Sequence, residues 1–176
     1  MKRIPADKLD PDGVASEFWT RKGKPVTGVV VGESDGRVLG EWYCRDGLRW
    51  GPQRRWNPLG APFDAYFCLA GHIHGFRRLW AAYGRKRAIE EYRFGIQVRR
   101  RTWEFDGFVE TSPALEELPD AAYYEGIIES NRRSILKLGG DPSEVPALFS
   151  TLRPGEWDDP ATPNDVANWL ALDPQP

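Results

Sequence analysis

Glycines recur along the middle of this chain at a fixed interval of 24 residues. One series is Gly23, Gly47, Gly71 and Gly95, and a second is Gly36, Gly60 and Gly84. Glycine adopts positive φ without steric cost, and the tight turns between antiparallel strands require such residues. A unit this short cannot bury a core alone, so neighbouring units must stack on one another. The interval therefore predicts an array of β-hairpin repeats.

Aromatic residues occupy fixed places within these repeats. The pairs Phe18-Trp19, Trp42-Tyr43 and Tyr66-Phe67 precede glycines of the first series, and Trp56 and Trp80 follow in the next strand. Large flat side chains are enriched in strands, and the chain has eight Trp, eight Phe and six Tyr. One hairpin is marginal in water, so successive hairpins should share a sheet. We predict a mainly β (α+β) fold with a single meandering antiparallel sheet.

Two ten-residue segments within the repeats resemble the signature of a known repeat family. Residues 66–75, YFCLAGHIHG, resemble the aromatic-x-x-x-x-Gly-x-x-His-Gly signature of MORN-variant repeats. Residues 42–51, WYCRDGLRWG, match it with Trp50 in place of His. A weaker copy spans residues 92–107, where Arg99 replaces the second glycine, and in the first unit Gly28 falls one residue late. The matches cover about half of the chain, from Phe18 to Phe108.

This resemblance implies a function in binding. Bacterial proteins with such repeats are often antitoxins or immunity proteins, which neutralise a toxin by occluding it. The resemblance therefore implies a cognate toxin as partner, with no cofactor and no enzymatic activity. Eukaryotic MORN proteins act instead as scaffolds or lipid-proximal modules, so a scaffold or an anionic-membrane-surface module is the alternative.

Beyond Thr111 the apolar spacing becomes helical. It predicts a helix from about Asp120 to Leu138, stopped by Gly139-Gly140, whose apolar residues are Tyr124, Ile127, Ile128, Ile135 and Leu138. Asp141-Pro142 is typical of the start of a shorter helix with Val145, Leu148, Phe149 and Leu152. Thr162-Pro163 repeats this pattern before Val166, Trp169 and Leu170. We expect a lead-in at 1–17, a repeat sheet at 18–110 and an acidic helical cap at 111–176.

The net charge of −2 conceals a segregation along the chain. Residues 18–110 contain 17 Lys and Arg against 10 Asp and Glu, whereas residues 111–176 contain 4 against 12. A basic middle and an acidic tail suit an interface that selects its partner electrostatically. Residues outside the repeat pattern are the candidate partner contacts, because the pattern itself serves folding. On the sheet they are Arg77, Arg78, Arg99 and Arg101, and on a loop they are Glu156, Asp158 and Asp159.

Consecutive strand residues point to opposite faces, so Arg99, Arg100 and Arg101 cannot form one patch. Arginines interleaved with aromatics can also bind single-stranded nucleic acid by stacking and phosphate contacts. We rank that function, together with catalysis, below protein binding. The sequence contains neither a Gly-x-Ser-x-Gly nucleophile elbow nor a phosphate-binding loop.

We expect no metal site and no disulfide. His72 and His74 could face one side of a strand, but no third ligand stands at metal-binding spacing, and His74 belongs to the repeat signature. Cys44 and Cys68 hold the same repeat position, roughly 9–10 Å apart if two strands separate them. A disulfide needs Cα atoms within about 7 Å. Without a signal peptide or a membrane-length apolar run, a cytoplasmic location is expected.

Overall fold

The computed structural model describes residues 1–11, 18–81, 84–104, 109–152 and 156–157. Within these residues, ten strands form one sheet and two further strands form a small ribbon. The strands are β1 (Arg3–Pro5), β2 (Thr20–Arg21), β3 (Lys24–Pro25), β4 (Gly28–Ser34), β5 (Arg37–Arg45), β6 (Leu48–Trp56), β7 (Pro62–Leu69), β8 (His72–Ile73), β9 (Gly75–Trp80), β10 (Lys86–Arg93), β11 (Ile96–Trp103) and β12 (Val109–Thr111). The order in the sheet is β1-β4-β5-β6-β7-β9-β10-β11-β12, with β8 beside β7. The predicted mainly β fold with a single meandering sheet is confirmed.

The glycine series lie at the turns of this meander. Asp46-Gly47, Ala70-Gly71 and Phe94-Gly95 each combine two residues of positive φ, as type I′ hairpin turns require. The second series lies at the other end of the sheet, where Gly36, Gly60 and Gly84 also have positive φ. One period of 24 residues is thus two strands and two turns, and successive strands from β4 to β7 and from β9 to β12 pair antiparallel.

The lead-in contributes a strand to the sheet. β1 pairs parallel with β4, and a Cβ at Gly28 would lie 2.5 Å from the carbonyl oxygen of Lys2. Gly28 therefore permits a close approach that any side chain would block. A small core forms here from Ile4, Val26, Val30 and Cys44, with Trp19 and Trp42 packed against it.

A long helix, Ala121–Lys137, covers one face of the sheet, as the helical spacing predicts. Ile128 and Ile135 are buried in one core cluster with Phe67 and Leu69 of β7. Gly139, with a φ of +78°, follows the last turn. Leu138, expected to be part of the apolar face, is exposed. It lies beyond the last helical residue, where the chain turns away.

The predicted second helix is wrong in extent. A 3-10 turn, Pro142–Glu144, and a short helix, Ala147–Ser150, stand in its place. Pro146 separates them, because proline lacks an N–H donor and disfavours helical backbone in the residue before it. Asp141 does cap the first piece, since its Oδ1 accepts a hydrogen bond from the Ser143 N–H at 2.8 Å. The helix predicted after Thr162-Pro163 lies outside the described residues.

The sheet has two unlike faces between β6 and β11. The covered face packs Ala65, Phe67 and Trp80 against both described helices. The open face contains the alternate residues of the same strands, and opposite charges dominate it. In the described part of the chain, both helices lie on the covered face.

Candidate interaction surface

A row of alternating charges crosses five neighbouring strands on the open face. We call it the arginine row, and its members are Arg55 on β6, Asp64 on β7, Arg77 on β9, Glu90 on β10 and Arg100 on β11. Strand register produces this order, because Arg55 pairs with Asp64, and Glu90 pairs with both Arg77 and Arg100. Opposite charges at directly paired positions stabilise a sheet, so the row also supports the fold.

Each carboxylate of the arginine row binds two arginines. Asp64 accepts from Arg55 Nη2 at 2.7 Å and from Arg77 Nε and Nη2 at 2.9 Å each. Glu90 lies 3.4 Å from Arg77 Nη1 and 3.4 Å from Arg100 Nε. Burial disfavours the charge on Arg77, but its hydrogen bonds and proximity to Asp64 and to Glu90 outweigh this and raise its pKa. Arg77 is therefore a permanently charged bridge between two buried anions.

Two tyrosines, Tyr66 and Tyr92, contact charged residues of the row. The Arg77 guanidinium lies 5.3 Å from the ring centroid of Tyr66, whose hydroxyl accepts a hydrogen bond from Arg49 Nη1 at 3.0 Å. The Tyr92 hydroxyl donates to Glu90 Oε2 at 3.1 Å. Burial raises the pKa of both tyrosines, and the charge of Glu90 adds to the rise at Tyr92. Both hydroxyls therefore stay protonated at neutral pH and can donate hydrogen bonds.

The two outer arginines of the row are exposed, whereas both of its carboxylates are buried. The Asp64 and Glu90 side chains are only 1% and 6% exposed, whereas Arg55 and Arg100 are 40% and 44% exposed. Among the described residues, Arg55 contacts a carboxylate through Nη2 alone and Arg100 through Nε alone. Because a guanidinium has five N–H donors, each of these exposed side chains keeps donors that contact no carboxylate, although the Nε of Arg55 is buried.

The structure places the predicted contact residues on different faces. Arg77 belongs to the arginine row, but Arg78 lies on the covered face and is buried together with Glu156. Arg78 Nε donates to Glu156 Oε1 at 2.5 Å, and Arg78 Nη2 donates to Glu156 Oε2 at 3.0 Å. Arg78 also donates to the carbonyls of Leu148 and Thr151. This pair attaches the C-terminal segment to the sheet, so neither side chain is presented to a partner.

Arg99 and Arg101 lie apart from the arginine row. Arg99 binds Glu91 and lies 4.4 Å from the ring centroid of Trp157, and Arg101 lies 6.0 Å from the ring of Trp103. Arg100, between them, contacts Glu90. The prediction that these three arginines do not form one patch is confirmed. The two remaining candidates, Asp158 and Asp159, lie outside the described residues.

Sequence reasoning did not select Arg55, Asp64, Glu90 or Arg100. A usable signal was present, because the turn glycines fix strand register to within one residue. Opposite charges could then have been sought at paired positions. That search identifies Arg55 with Asp64 and Arg77 with Glu90.

The histidine and cysteine candidates have structural roles. His74 stacks on Phe94 at a centroid distance of 4.3 Å, and its Nδ1 accepts a hydrogen bond from the Phe94 N–H at 3.2 Å. Within the described residues, no three His, Cys, Asp or Glu side chains are grouped as metal ligands would be. Cys44 and Cys68 are buried, and neither forms a disulfide. Burial raises the pKa of the Cys44 thiol to about 12, so it is protonated at neutral pH.

Burial lowers the pKa of His74 below its ordinary value of 6.5, which makes the fold sensitive to acid. The unfolded chain binds this proton more readily, so the stability that neutral His74 contributes is complete above about pH 6.5 and is lost as the pH falls below it. We expect His74→Asn, whose Oδ1 can still accept from Phe94, to reduce the loss of unfolding free energy between pH 7.5 and 5.5. The reduction should be at most about 1.4 kcal/mol per pH unit. Urea denaturation measures it, and equal pH dependence in both proteins would contradict the assignment.

Comparisons with protein-family models, curated proteins and solved structures found no match. No helix in the described residues is both long and apolar enough to cross a membrane. A functional proposal therefore depends on the repeat pattern and on the chemistry of the open face.

Proposed function

We propose that this protein is an immunity or antitoxin-type protein that neutralises a cognate bacterial toxin by binding it through the open face. The arginine row is the observation that supports this function most directly. Its outer arginines, Arg55 and Arg100, are exposed, and salt bridges to buried carboxylates hold them on the sheet. The resemblance of residues 42–51 and 66–75 to MORN-variant repeats adds the expectation that the bound molecule is a toxin.

The partner's contact surface should contain Asp or Glu side chains. A guanidinium forms bidentate hydrogen bonds with a carboxylate, and arginine and tyrosine are enriched in the cores of protein interfaces. The spacing of Arg55, Arg77 and Arg100 across β6, β9 and β11 is fixed by the sheet. A partner must match that spacing, which gives selectivity beyond simple charge attraction.

The alternation of charges favours a protein partner over a membrane or a nucleic acid. Polyanions bind through uncompensated cations, and their attraction grows with the number of those cations. In the arginine row, three arginines already contact two carboxylates, so the excess is a single positive charge. The row therefore attracts a distant polyanion only weakly. Its N–H donors can instead form directed hydrogen bonds with a protein surface in direct contact.

The first test is neutralisation of the protein encoded beside this one. We expect the neighbouring gene product to be harmful when expressed alone, harmless when co-expressed with this chain, and co-purified with it. A neighbouring product that is harmless alone would contradict the toxin assignment.

The second test locates the interface. The double variant Arg55→Ala/Arg100→Ala should weaken binding of the co-purified partner about tenfold to a hundredfold, because exposed charge-assisted contacts are lost. Arg132→Ala on the long helix is the matched control, since Arg132 is 49% exposed and contacts only Glu129 among the described side chains. Calorimetric titration gives the affinities, and thermal unfolding verifies the fold of each variant. Equal weakening in both would exclude the open face, and salt-sensitive binding to anionic vesicles would favour the membrane alternative.

A further inference from the structure

A cavity of about 410 Å³ lies at the sheet end that has the Gly60 and Gly84 turns. Asn57 and Ala81 begin those two turns, as the backbone bonds Gly60 N–H to Asn57 O and Gly84 N–H to Ala81 O show. The volume falls within the range of small-molecule sites in proteins. The cavity is distinct from the arginine row, because Trp80 and Trp103 in its wall belong to cores of the covered face.

The cavity walls are aromatic. Trp80 and Trp103 are almost fully buried, and Phe63 is 40% exposed. Three aromatic side chains around one small cavity suit a flat ring, which gains both apolar burial and favourable ring–ring contact. An aliphatic chain would gain only the burial.

Trp103 supplies an unused donor. Its Nε1 is buried and has no hydrogen-bond acceptor among the described residues. Buried polar atoms are seldom left without a partner in native proteins, so an acceptor on a bound ligand would remove a real cost. Trp103 lines a cavity rather than a closed core, so a ligand in the cavity can contact this side chain.

The cavity rim is basic. Arg85 and Arg87 are exposed, and neither forms an ion pair within the described part of the chain. Lys86 also lines the cavity, with its Nζ 3.5 Å from Glu156 Oε1. Glu104 is the one acidic residue among the described lining residues. The rim therefore favours an anion, which can accept hydrogen bonds from guanidinium groups.

We propose that this cavity binds a small planar aromatic anion, with its ring against Trp80, Trp103 and Phe63 and its carboxylate or phosphate group toward Arg85 and Arg87. This is a second binding site at the end of the sheet, where its lining residues Phe63 and Arg87 lie near Arg55 and Arg100 of the arginine row. It stands independently of the toxin proposal, because none of its lining residues belongs to the arginine row.

Two probes test this chemistry and distinguish its sources: adenosine monophosphate for nucleotides and 1-naphthoate for aryl acids. Adenosine, naphthalene-1-methanol and inorganic phosphate serve as half-ligands that lack the anion or the ring. The readout is the ¹H–¹⁵N indole resonance of Trp103, assigned as the signal missing from Trp103→Phe. We expect at least one probe to shift this resonance saturably, and each half-ligand to bind about tenfold more weakly or not at all.

Two further variants keep the test open if Trp103→Phe does not fold. Arg85→Ala/Arg87→Ala changes only exposed side chains and should weaken binding of the same probe about tenfold, measured by tryptophan fluorescence. Arg132→Ala, on the long helix and not among the described lining residues, should leave the affinity unchanged. The proposal is overturned if neither probe binds at millimolar concentration, if a half-ligand binds as tightly as its parent, or if the arginine double variant keeps full affinity.

Discussion

Replacement of Glu156 by Gln should lower the free energy of unfolding by about 3–5 kcal/mol, the largest loss that we expect from one conservative substitution. The Glu156 side chain is 1% exposed, binds the buried Arg78 through both carboxylate oxygens and lies 3.5 Å from the buried Lys86 Nζ. Glutamine preserves the shape but removes the negative charge, which leaves two buried cations without that compensation. Urea denaturation followed by tryptophan fluorescence gives the measurement.

Glu125→Gln is the matched control for this prediction. Glu125 also binds an arginine, Arg93, at 2.7 Å, but their side chains are 45% and 35% exposed. Water screens such a pair, so we expect a loss below about 1 kcal/mol. Similar losses in the two variants would show that burial does not determine the strength of the Arg78–Glu156 pair. Addition of Arg78→Met to Glu156→Gln should restore part of the stability, since one of the buried cations is then removed.

Gly75→Ala should cost about 3–4 kcal/mol and release the short helix Ala147–Ser150 from the sheet. Gly75 has a φ of +78°, which an L-residue adopts at a cost of about 1–2 kcal/mol. A Cβ there would also lie 2.3 Å from the carbonyl oxygen of Phe149, and backbone cannot move aside as a flexible side chain can. Denaturation measures the stability, and protease sensitivity of the C-terminal segment measures the release.

Gly51→Ala separates the two causes. Gly51 holds the same repeat position as Gly75 and has a φ of +99°, but a Cβ there would meet only the Tyr43 side chain, at 3.4 Å from its Cβ and 3.9 Å from its Cγ. We expect this variant to lose only the backbone cost of about 1–2 kcal/mol, with the C-terminal segment still protected. If Gly75→Ala and Gly51→Ala lower the free energy of unfolding equally, contact with Phe149 does not restrict position 75.

The sheet could be predicted because its turns depend on a property of single residues. Positive φ is favourable for glycine wherever it occurs, so evenly spaced glycines such as Gly47 and Gly71 indicate evenly spaced turns. Strand register was less accessible. A bulge between Glu91 and Tyr92 shifts the β10–β11 pairing by one residue and brings Arg100, rather than Arg99, opposite Glu90. Nothing in the local sequence marks that bulge.

The sequence also could not predict which arginine lies on which face of the sheet. Arg77 and Arg78 are adjacent and chemically identical, yet one belongs to the arginine row and the other is buried beside Glu156. The difference depends on which face receives the C-terminal segment, and Glu156 stands 78 positions from Arg78. Local patterns contain no information on a contact that distant. The interruption at Pro146, by contrast, is predictable, because proline disfavours helical backbone in the residue before it.

The C-terminal segment changes how this array holds together. In a plain meander each strand touches only its two neighbours, so hairpins melt almost independently and losses stay local. Here one core joins Phe67, Trp80 and Val98 from three separate strands to Ile128 and Phe149. A change that destabilises one of those hairpins therefore destabilises the others. The hairpins and the C-terminal segment unfold together as one cooperative unit.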